Sequence, residues 1–416
     1  MSKKFAVFAL VLILLWVSFF PAPLQLKYHL FTNTALSLFF VLLVILKRGK
    51  VFKKADFALW IFAISMGVNV IFAQDKNTAL RTYLDLILPL VTVYYLAQES
   101  VSSKVSFRFI AATWCFLSGA VALIGIGEVL FRANPLYQHF IENQYYARYI
   151  GSSLARPMST QFNPAVLGSY LLVSLPFNFL FIKHRSFFVR LLVTSGIVLT
   201  VAVIILTFSR GAFLGLLAVT LFYLLAKKKY RSVRLLVIIL AVFIILCSFL
   251  PYPFSKFNIK SFVGEWGIFS SYNLNRHTMT KRIFIDHPFT GLGFQHFRSR
   301  FYEYYPGLGK VPYENMIADN MYLTILTETG IIGFGAFWVF IFTLLRKGFY
   351  YLKNEFRKDE RKALFIVISG FLGLLVTTAG YELFYWPSPF FLFCILSGML
   401  KGLSERESEP PALKAS

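Results

Sequence analysis

The sequence predicts an all-α, polytopic membrane protein with about twelve transmembrane helices and one large outer (periplasmic) loop. Of its 416 residues, 57% are hydrophobic and 15% are charged, whereas about a quarter are charged in an average soluble protein. The mean hydropathy is +0.65. The apolar residues form blocks of about twenty, which is the length that a helix needs to cross ~30 Å of hydrocarbon.

Twelve such blocks follow one another along the chain, and each predicts one span. They cover residues 4–21, 30–46, 55–73, 82–98, 109–131, 163–182, 188–208, 211–226, 234–251, 320–345, 363–382 and 387–401. The predicted organisation is nine spans in residues 1–251, a large periplasmic loop at 252–319, three spans in 320–402 and a cytoplasmic tail at 403–416. The tail is polar, and we expect it to be disordered.

The distribution of basic residues predicts the orientation of the chain. Lysine and arginine concentrate in short loops such as residues 47–54, 227–234 and 346–362, and short basic loops stay on the cytoplasmic side of a membrane. Both termini are then cytoplasmic. The formal charge of +23 is explained in this way without a nucleic-acid partner. No small-residue cleavage site follows the first apolar block, which therefore predicts a span and not a signal peptide.

Two arginines are candidates for binding phosphate at the predicted outer face. Arg210 lies in a tight turn between two spans, next to Gly211, where backbone can approach a ligand closely. Arg156 lies where the outer segment of residues 132–162 returns to the membrane. A planar guanidinium group suits bidentate phosphate binding. The alternatives are a membrane-surface anchor for Arg210 and a solvated loop charge for Arg156.

The large loop contains a second group of basic candidates within the stretch NLNRHTMTKRIFIDHP. Arg276, His277 and Arg282 fall in this stretch, which predicts a helix whose apolar stripe includes Met279 and Ile283. The alternative is an ordinary amphipathic surface helix. The following PFTGLGF predicts a Pro/Gly turn, because no strand–turn–helix unit surrounds its glycines as a phosphate-binding loop would require.

A group of polar residues marks the end of the loop and the start of the next span. Asp319 is a carboxylate at the predicted membrane boundary, where it could accept a proton from an attacking hydroxyl. Asn320 and Tyr322 follow it as candidates for binding substrate. The alternative for Asp319 and Asn320 is helix capping. Glu328 lies within the span, and an acid inside a membrane is a functional candidate by default.

Several motifs are absent from the sequence, and their absence limits the chemistry that we expect. There is no P-loop, HExxH, GxSxG or Asp-x-Asp motif, which argues against ATP hydrolysis, zinc proteolysis and a metal-dependent nucleotide-sugar site. The three cysteines lie inside apolar runs and predict no disulfide framework. We therefore expect no metal and no cofactor. The substrate would bring its own leaving group, and cationic side chains would stabilise the charge that develops on it.

Four segments in a fixed order carry a resemblance to a known family. They are RPMSTQFNPAVLGSYL at 156–171, SRGAFLG at 209–215, NRHTMTKRIFIDHPFTGLGFQHF at 275–297 and ADNMYLTILTETGIIGFGAF at 318–337. With these segments the chain resembles the bacterial O-antigen ligase/polymerase superfamily of integral membrane glycosyltransferases. The first five predicted spans resemble the family only in hydropathy.

Two residue spacings support this resemblance, and one residue departs from it. Arg210 and Leu214 have the Arg-x3-Leu spacing of the ligases, and Asp319 and Gly330 have the spacing of their His-x10-Gly element. The ligases typically have histidine at the first position of that element, where this chain has Asp319. The departure leaves open a polysaccharide polymerase or another glycan-transferring relative.

The resemblance implies a glycosyltransferase of the bacterial inner membrane that uses an undecaprenyl-diphosphate-linked glycan as its donor. The acceptor would be lipid A-core or another glycan in a ligase, and a second lipid-linked unit in a polymerase. By this reading Arg210, with Arg156 and Arg276, binds the donor diphosphate, while Asp319 activates the acceptor hydroxyl. A transporter of lipid-linked solutes is the alternative from another class, although the sequence lacks the internal repeats that transporters often show.

Overall fold

A computed structural model describes residues 2–20, 29–46, 56–134, 149–150, 155–247, 271–304, 316–354 and 358–405, and in these residues the chain is helical without any strand. The helices are α1 Ser2–Phe19, α2 His29–Leu46, α3 Phe57–Phe72, α4 Lys76–Ser100, α5 Lys104–Phe131, α6 Pro164–Asn178, α7 Phe187–Leu206, α8 Arg210–Ala226, α9 Tyr230–Cys247, α10 Ser271–Asp286, α11 His296–Ser299, α12 Phe301–Tyr304, α13 Met321–Asn354, α14 Lys358–Thr378 and α15 Pro387–Glu405.

The all-helical membrane fold that the sequence predicts is confirmed in its coarse form. Each predicted span overlaps one of these helices. By length and composition, α4, α5, α7, α13, α14 and α15 can cross a membrane, and α3, α6, α8 and most of α2 are shorter apolar helices. The number of twelve spans and the periplasmic position of the large loop stay predictions, as do the domain boundaries.

The last three long helices pack among the earlier ones. The C-terminal helix α15 is buried along nearly its whole length and packs mainly on α4. In addition, α13 packs on α3, and α14 packs on both α6 and α8. One continuous apolar core therefore joins the N-terminal and C-terminal parts of the chain.

The helix bundle has two ends that differ in their polar residues. We call the end at which α8 and α13 begin the Asp319 end, and the end at which α3 begins and α15 finishes the Lys401 end. The segments that join α14 to α15 and α5 to α6 lie at the Asp319 end, as shown by their contacts with the starts of α8 and α13.

Helix α13 is interrupted at Gly330, and a turn of the large loop fills the interruption. Gly330 has a left-handed φ of 61° and a ψ of −168°, which breaks the helical hydrogen-bond pattern. The backbone amides of Leu292 and Ile331 donate to the carbonyls of Thr327 (2.9 Å) and Pro288 (2.9 Å) respectively. The PFTGLGF turn that the sequence predicts is thus confirmed, and its backbone satisfies groups that the broken helix leaves unpaired.

Two glycines make this docking possible. A Cβ atom on Gly330 would lie 2.3 Å from the carbonyl carbon of Phe289, and one on Gly291 would lie 2.4 Å from that of Glu328. Both glycines also have positive φ, which other residues rarely adopt. The side-chain amide of Asn69 donates to the carbonyl of Glu328 at 2.6 Å. Helix α3 therefore helps to fix the loop turn against α13.

Candidate functional site

The start of α13 places Asp319 in an unusual backbone conformation at the edge of the bundle. Asp319 has a φ of 57° and is half-buried, and aspartate is among the few non-glycine residues that tolerate this region. The side chain of Asn320 accepts hydrogen bonds from the amides of Tyr322 (2.9 Å) and Leu323 (3.3 Å). The capping prediction is therefore confirmed for Asn320, and the carboxylate of Asp319 is not needed for this cap.

A buried carboxyl group, Glu382, fixes the backbone next to Asp319. Its Oε1 accepts from the amide of Ala318 at 3.0 Å and from the hydroxyl of Thr324 at 2.7 Å. Its Oε2 lies 3.6 Å from Nη2 of Arg298. Burial raises the pKa of Glu382, the Thr324 hydrogen bond and the Arg298 charge oppose this, and the negative charge of Asp319 adds to it. Glu382 therefore joins the large loop, α13 and the segment after α14.

Tyr381 connects Asp319 to the segment that precedes α6. Burial raises the pKa of Tyr381, and the charge of Asp319 raises it further, so the two side chains are close enough to interact. The amide nitrogen of Asn163 donates to the Tyr381 hydroxyl at 3.1 Å. Asn163 also caps α6, since its Oδ1 accepts from the amide of Ala165 at 2.8 Å.

Arg156 and Arg210 also lie at the Asp319 end; their predicted position at the outer face stays a prediction. Nε of Arg156 donates to the carbonyl of Thr207 at 2.9 Å, and its guanidinium group lies 5.3 Å from the ring centre of Tyr149. Arg210 is the first residue of α8 and is half-buried. A Cβ atom on its neighbour Gly211 would lie 2.8 Å from the carbonyl of Thr377. The start of α8 is thus packed against the segment that leads to Tyr381.

Left-handed backbone conformations concentrate around these residues. Seven non-glycine residues of the described chain have positive φ, and six of them lie at the Asp319 end, whereas Lys228 is at the other. The six are Arg132, Ser159, Phe162, Phe208, Gln295 and Asp319. Uncommon backbone conformations of this kind cluster at functional sites, so this distribution supports the Asp319 end as the candidate site.

The hydroxyl of Tyr322 is engaged within the protein. It donates to the carbonyl of Leu375 at 2.6 Å and accepts from the hydroxyl of Thr378 at 3.1 Å. Its ring stacks on Trp338 with 5.3 Å between ring centres. These contacts join α13 to α14, and they give Tyr322 a packing role; its predicted role in binding substrate stays a prediction.

The basic candidates of α10 are placed differently from Arg156 and Arg210. The predicted helix is confirmed, with Met279 and Ile283 on its buried face. His277 and Arg282 are exposed, and Nη1 of Arg282 is 3.4 Å from the carbonyl of Tyr304. The contacts described for these two side chains do not reach Asp319, Tyr381 or Glu382. The side chain of Arg276 lies outside the described residues.

Glu328 carries a second buried carboxyl group, in addition to that of Glu382. The hydroxyl of Tyr385 donates to its Oε2, and the backbone amide of Phe297 donates to its Oε1 at 3.3 Å. Burial raises the pKa of Tyr385 well above its usual range, and the charge of Glu328 adds to this. The pair holds the loop segment that leads to Arg298 against the start of α15.

Arg298, Tyr381 and Glu382 were not among the site residues predicted from the sequence. Glu382 ends the apolar stretch 363–382, so the rule that made Glu328 a candidate, an acid inside a predicted span, also applied to it. Arg298 had no such signal, because it is one of many basic residues in the large loop. Among the described residues, no group of three or more His, Cys, Asp and Glu side chains could hold a metal ion.

Part of the chain matches the model of a known protein family. Residues 195–339 match the model of the O-antigen ligase family, and this region runs from α7 into α13. It includes Arg210, the large loop, Asp319 and the break at Gly330. None of the curated proteins matches the chain. The match supports the O-antigen ligase superfamily that the sequence motifs indicate.

Proposed function

Starting from its O-antigen ligase domain and the superfamily that this domain supports, we propose that the protein transfers a glycan between lipid carriers. The donor is an undecaprenyl-diphosphate-linked glycan, and the acceptor is a hydroxyl group of a lipid A-core type molecule at the outer face of the inner membrane. One observation carries this proposal. Asp319 and Arg210, which carry the two family spacings, lie at the same end of the bundle, together with Arg156 and Arg298.

Arginine side chains supply the binding site for the donor diphosphate. Arg210, assisted by Arg156 and by Arg276, offers planar guanidinium groups that suit bidentate binding of phosphate. Arg298 adds a fourth cation, because its side chain is 33% exposed while it contacts Glu382. Positive charge held in place at this site stabilises the negative charge that develops on the leaving diphosphate.

Asp319 acts on the acceptor hydroxyl. Its carboxylate orients the hydroxyl and accepts its proton while the hydroxyl oxygen forms a bond to the anomeric carbon of the donor. The bond between that carbon and the diphosphate oxygen breaks, and the electron pair leaves with the lipid diphosphate. Asp319 is half-buried, and its negative charge also acts on the buried groups Tyr381 and Glu382.

Glu382 and Tyr381 serve as positioning residues in this proposal. Glu382 fixes the amide of Ala318, the residue before Asp319, at 3.0 Å. Since the backbone of Asp319 is left-handed, an anchored neighbour is needed to hold its carboxylate in one direction. Tyr381, the residue before Glu382, accepts a hydrogen bond from Asn163 and so links this region to the segment before α6.

A repeat-unit polymerase is the second candidate function. It is favoured by Asp319, which stands where the ligases have histidine. The two functions share the donor and the transfer step and differ only in the acceptor, so an assay that supplies different acceptors separates them.

The test uses purified protein in lipid vesicles with a labelled undecaprenyl-diphosphate-linked glycan. Lipid A-core is added to one half of the reactions, and the other half receives donor alone. We expect label on lipid A-core for a ligase and longer lipid-linked chains for a polymerase. The Arg210→Ala and Asp319→Asn variants should lose transfer, whereas Arg231→Ala, an exposed arginine at the Lys401 end, should retain it.

Two results would contradict the proposal. One is wild-type transfer by the Arg210→Ala and Asp319→Asn variants. The other is movement of labelled donor across the vesicle membrane without covalent transfer to either acceptor, which would favour a transporter. The Asp319→His variant tests the comparison with ligases directly, because a ligase site should retain transfer to lipid A-core with the family's usual residue.

A further inference from the structure

A recess of about 100 Å³ lies at the Asp319 end beside the buried Glu328–Tyr385 pair. It lies between α2, α4 and the segment that begins α15. One part of its wall is aromatic and includes Trp16, Phe384 and Phe391. The other part is polar and includes Asn33 and Asp85. Ligand sites commonly combine such apolar surfaces with a few fixed polar groups.

The polar wall is organised around Asp85. The side-chain amide of Asn33 donates to Oδ1 of Asp85 at 2.6 Å, which links α2 to α4. Asp85 lies well inside α4, a helix that is long and apolar enough to cross a membrane. Ionisable residues at such positions are costly and mark functional pathways. The proposed transfer reaction assigns no role to Asp85.

The described lining of the recess favours one class of ligand. The described residues that line it include the carboxylate of Asp85 and no lysine, arginine or histidine, so these polar groups suit hydroxyl donors better than a phosphate group. Carboxylate and amide oxygens accept hydrogen bonds from hydroxyl groups, and flat aromatic rings present large apolar faces. Hydroxyl donors around an apolar ring face are the features of a neutral sugar.

The recess and the residues around Asp319 share two short segments of chain. Glu382 contacts Arg298 and Ala318, while Phe384, two residues later, lines the recess. Gln295, which also lines the recess, precedes Arg298 by three residues. A ligand in the recess would therefore lie next to the site at which the arginines are proposed to bind the diphosphate.

We propose that this recess binds a neutral sugar ring of the acceptor, with Asp85 and Asn33 accepting hydrogen bonds from its hydroxyls and Trp16 packing on its apolar face. The assignment to the acceptor rests on the proposed function. The binding of a neutral sugar ring rests only on the geometry and charge of the recess.

The test uses the full protein in lipid nanodiscs and a photoreactive alkyl glucoside as the probe. We expect cross-links to peptides that contain the recess residues of α2, α4 or α15, and competition by octyl glucoside but not by octyl phosphocholine. The Asp85→Ala and Trp16→Leu variants should each reduce labelling at least tenfold. The matched control is Asp286→Ala, which removes an exposed acid of α10 and should label as the wild type does.

The outcomes separate this proposal from the proposed function. Labelling outside the recess, equal competition by octyl phosphocholine, or labelling unaffected by both variants would overturn the sugar site. If labelling is as expected but wild-type protein transfers no glycan, the sugar site stands and the transferase proposal fails. If transfer occurs, the KM for acceptor should rise at least tenfold in Asp85→Ala with the KM for donor unchanged; an unchanged acceptor KM would overturn the assignment to the acceptor.

Discussion

Both ends of the helix bundle bury acidic residues, but they differ in how closely a cation pairs with the acid and in how exposed that cation is. At the Lys401 end, Nζ of Lys401 lies 2.8 Å from Oδ2 of Asp56, and the two side chains are 5% and 4% exposed. The hydroxyl of Tyr94 donates to the same oxygen at 2.8 Å. At the Asp319 end, Glu382 is as deeply buried, but its cation Arg298 is 3.6 Å away and 33% exposed.

The direction of the pKa shifts reflects this difference. Burial alone would raise the pKa of Asp56, but the hydrogen bond and the charge of Lys401 outweigh it and lower the pKa. Burial raises the pKa of Glu382 because Thr324 and Arg298 compensate less. A closed pair such as Asp56–Lys401 serves structure, whereas Arg298 beside Glu382 keeps part of its side chain at the surface, as the proposed binding of an anionic substrate requires. The comparison yields four predictions, which follow in order of expected effect.

The largest effect is expected from breaking the closed pair. Lys401→Met leaves Asp56 buried without its cation and should lower the free energy of unfolding by about 3–5 kcal/mol. Thermal unfolding of the purified protein measures the loss. Lys353→Met, which removes an exposed lysine at the same end, should have little effect. The double variant Asp56→Asn/Lys401→Met should regain part of the loss, and equal stability of the single variant and wild type would contradict a structural role.

The next effect concerns the docking of the loop turn at the Asp319 end. Gly330→Ala places a Cβ atom 2.3 Å from the Phe289 backbone at a residue with positive φ, and such strain costs about 1–3 kcal/mol. We expect reduced stability and weaker protection of the turn against hydrogen exchange. Gly335→Ala is the matched control, because a Cβ atom there meets nothing within 4 Å. Equal stability and equal hydrogen-exchange protection of the turn in the two variants would contradict the proposed packing of the turn at Gly330.

A smaller effect is expected from the positioning residue Glu382. Glu382→Gln keeps one acceptor for the amide of Ala318 but weakens the contact with Arg298. We expect kcat for glycan transfer to fall roughly tenfold, or ~1.4 kcal/mol in activation free energy, with the KM for donor unchanged. Kinetics with the labelled donor measure both values. A rise in KM without a change in kcat would instead indicate direct binding of donor.

The smallest effect is a difference in pH dependence between the two ends. Because the pKa of Glu382 is raised above 4.5, its contribution to stability is complete below 4.5 and is lost as pH rises through the folded-state pKa. The pKa of Asp56 is lowered below 3.8, so its contribution is complete above 3.8 and is lost as pH falls. Unfolding midpoints of wild type, Glu382→Gln and Asp56→Asn over a pH series measure this. The difference in stability between wild type and Glu382→Gln should change with pH in the opposite direction to the difference between wild type and Asp56→Asn, and changes in the same direction would contradict the assignment.

The sequence predicted those parts of the fold that depend on local composition. Blocks of about twenty apolar residues marked the positions of the long helices, because hydrocarbon thickness sets their length. The helix around Met279 and Ile283 and the PFTGLGF turn were predicted for similar reasons, since both depend on short-range pattern. Asn320 was a recognisable cap because it directly precedes a long apolar stretch.

The remaining features depend on contacts between distant residues. Arg298 lies in α11 and Glu382 in the segment between α14 and α15, and no local pattern indicates such a pair. The break at Gly330 exists because the turn that contains Gly291 docks there, so neither glycine predicts it alone. In the candidate site, Arg210, Arg156 and Asp319 were predicted from their position at the expected outer face, and Arg210 and Asp319 also from family spacing, whereas the buried groups next to them were not predicted.

Binding of the labelled donor to Arg210→Ala and Asp319→Asn tests the central claim most directly. If the Asp319 end holds the donor diphosphate through arginine, Arg210→Ala should weaken donor binding roughly 10- to 100-fold, the size expected for losing a charged hydrogen bond. Asp319→Asn should bind donor as the wild type does while transferring no glycan. Unchanged donor affinity in Arg210→Ala would contradict the claim that donor binding and transfer take place at this end of the bundle.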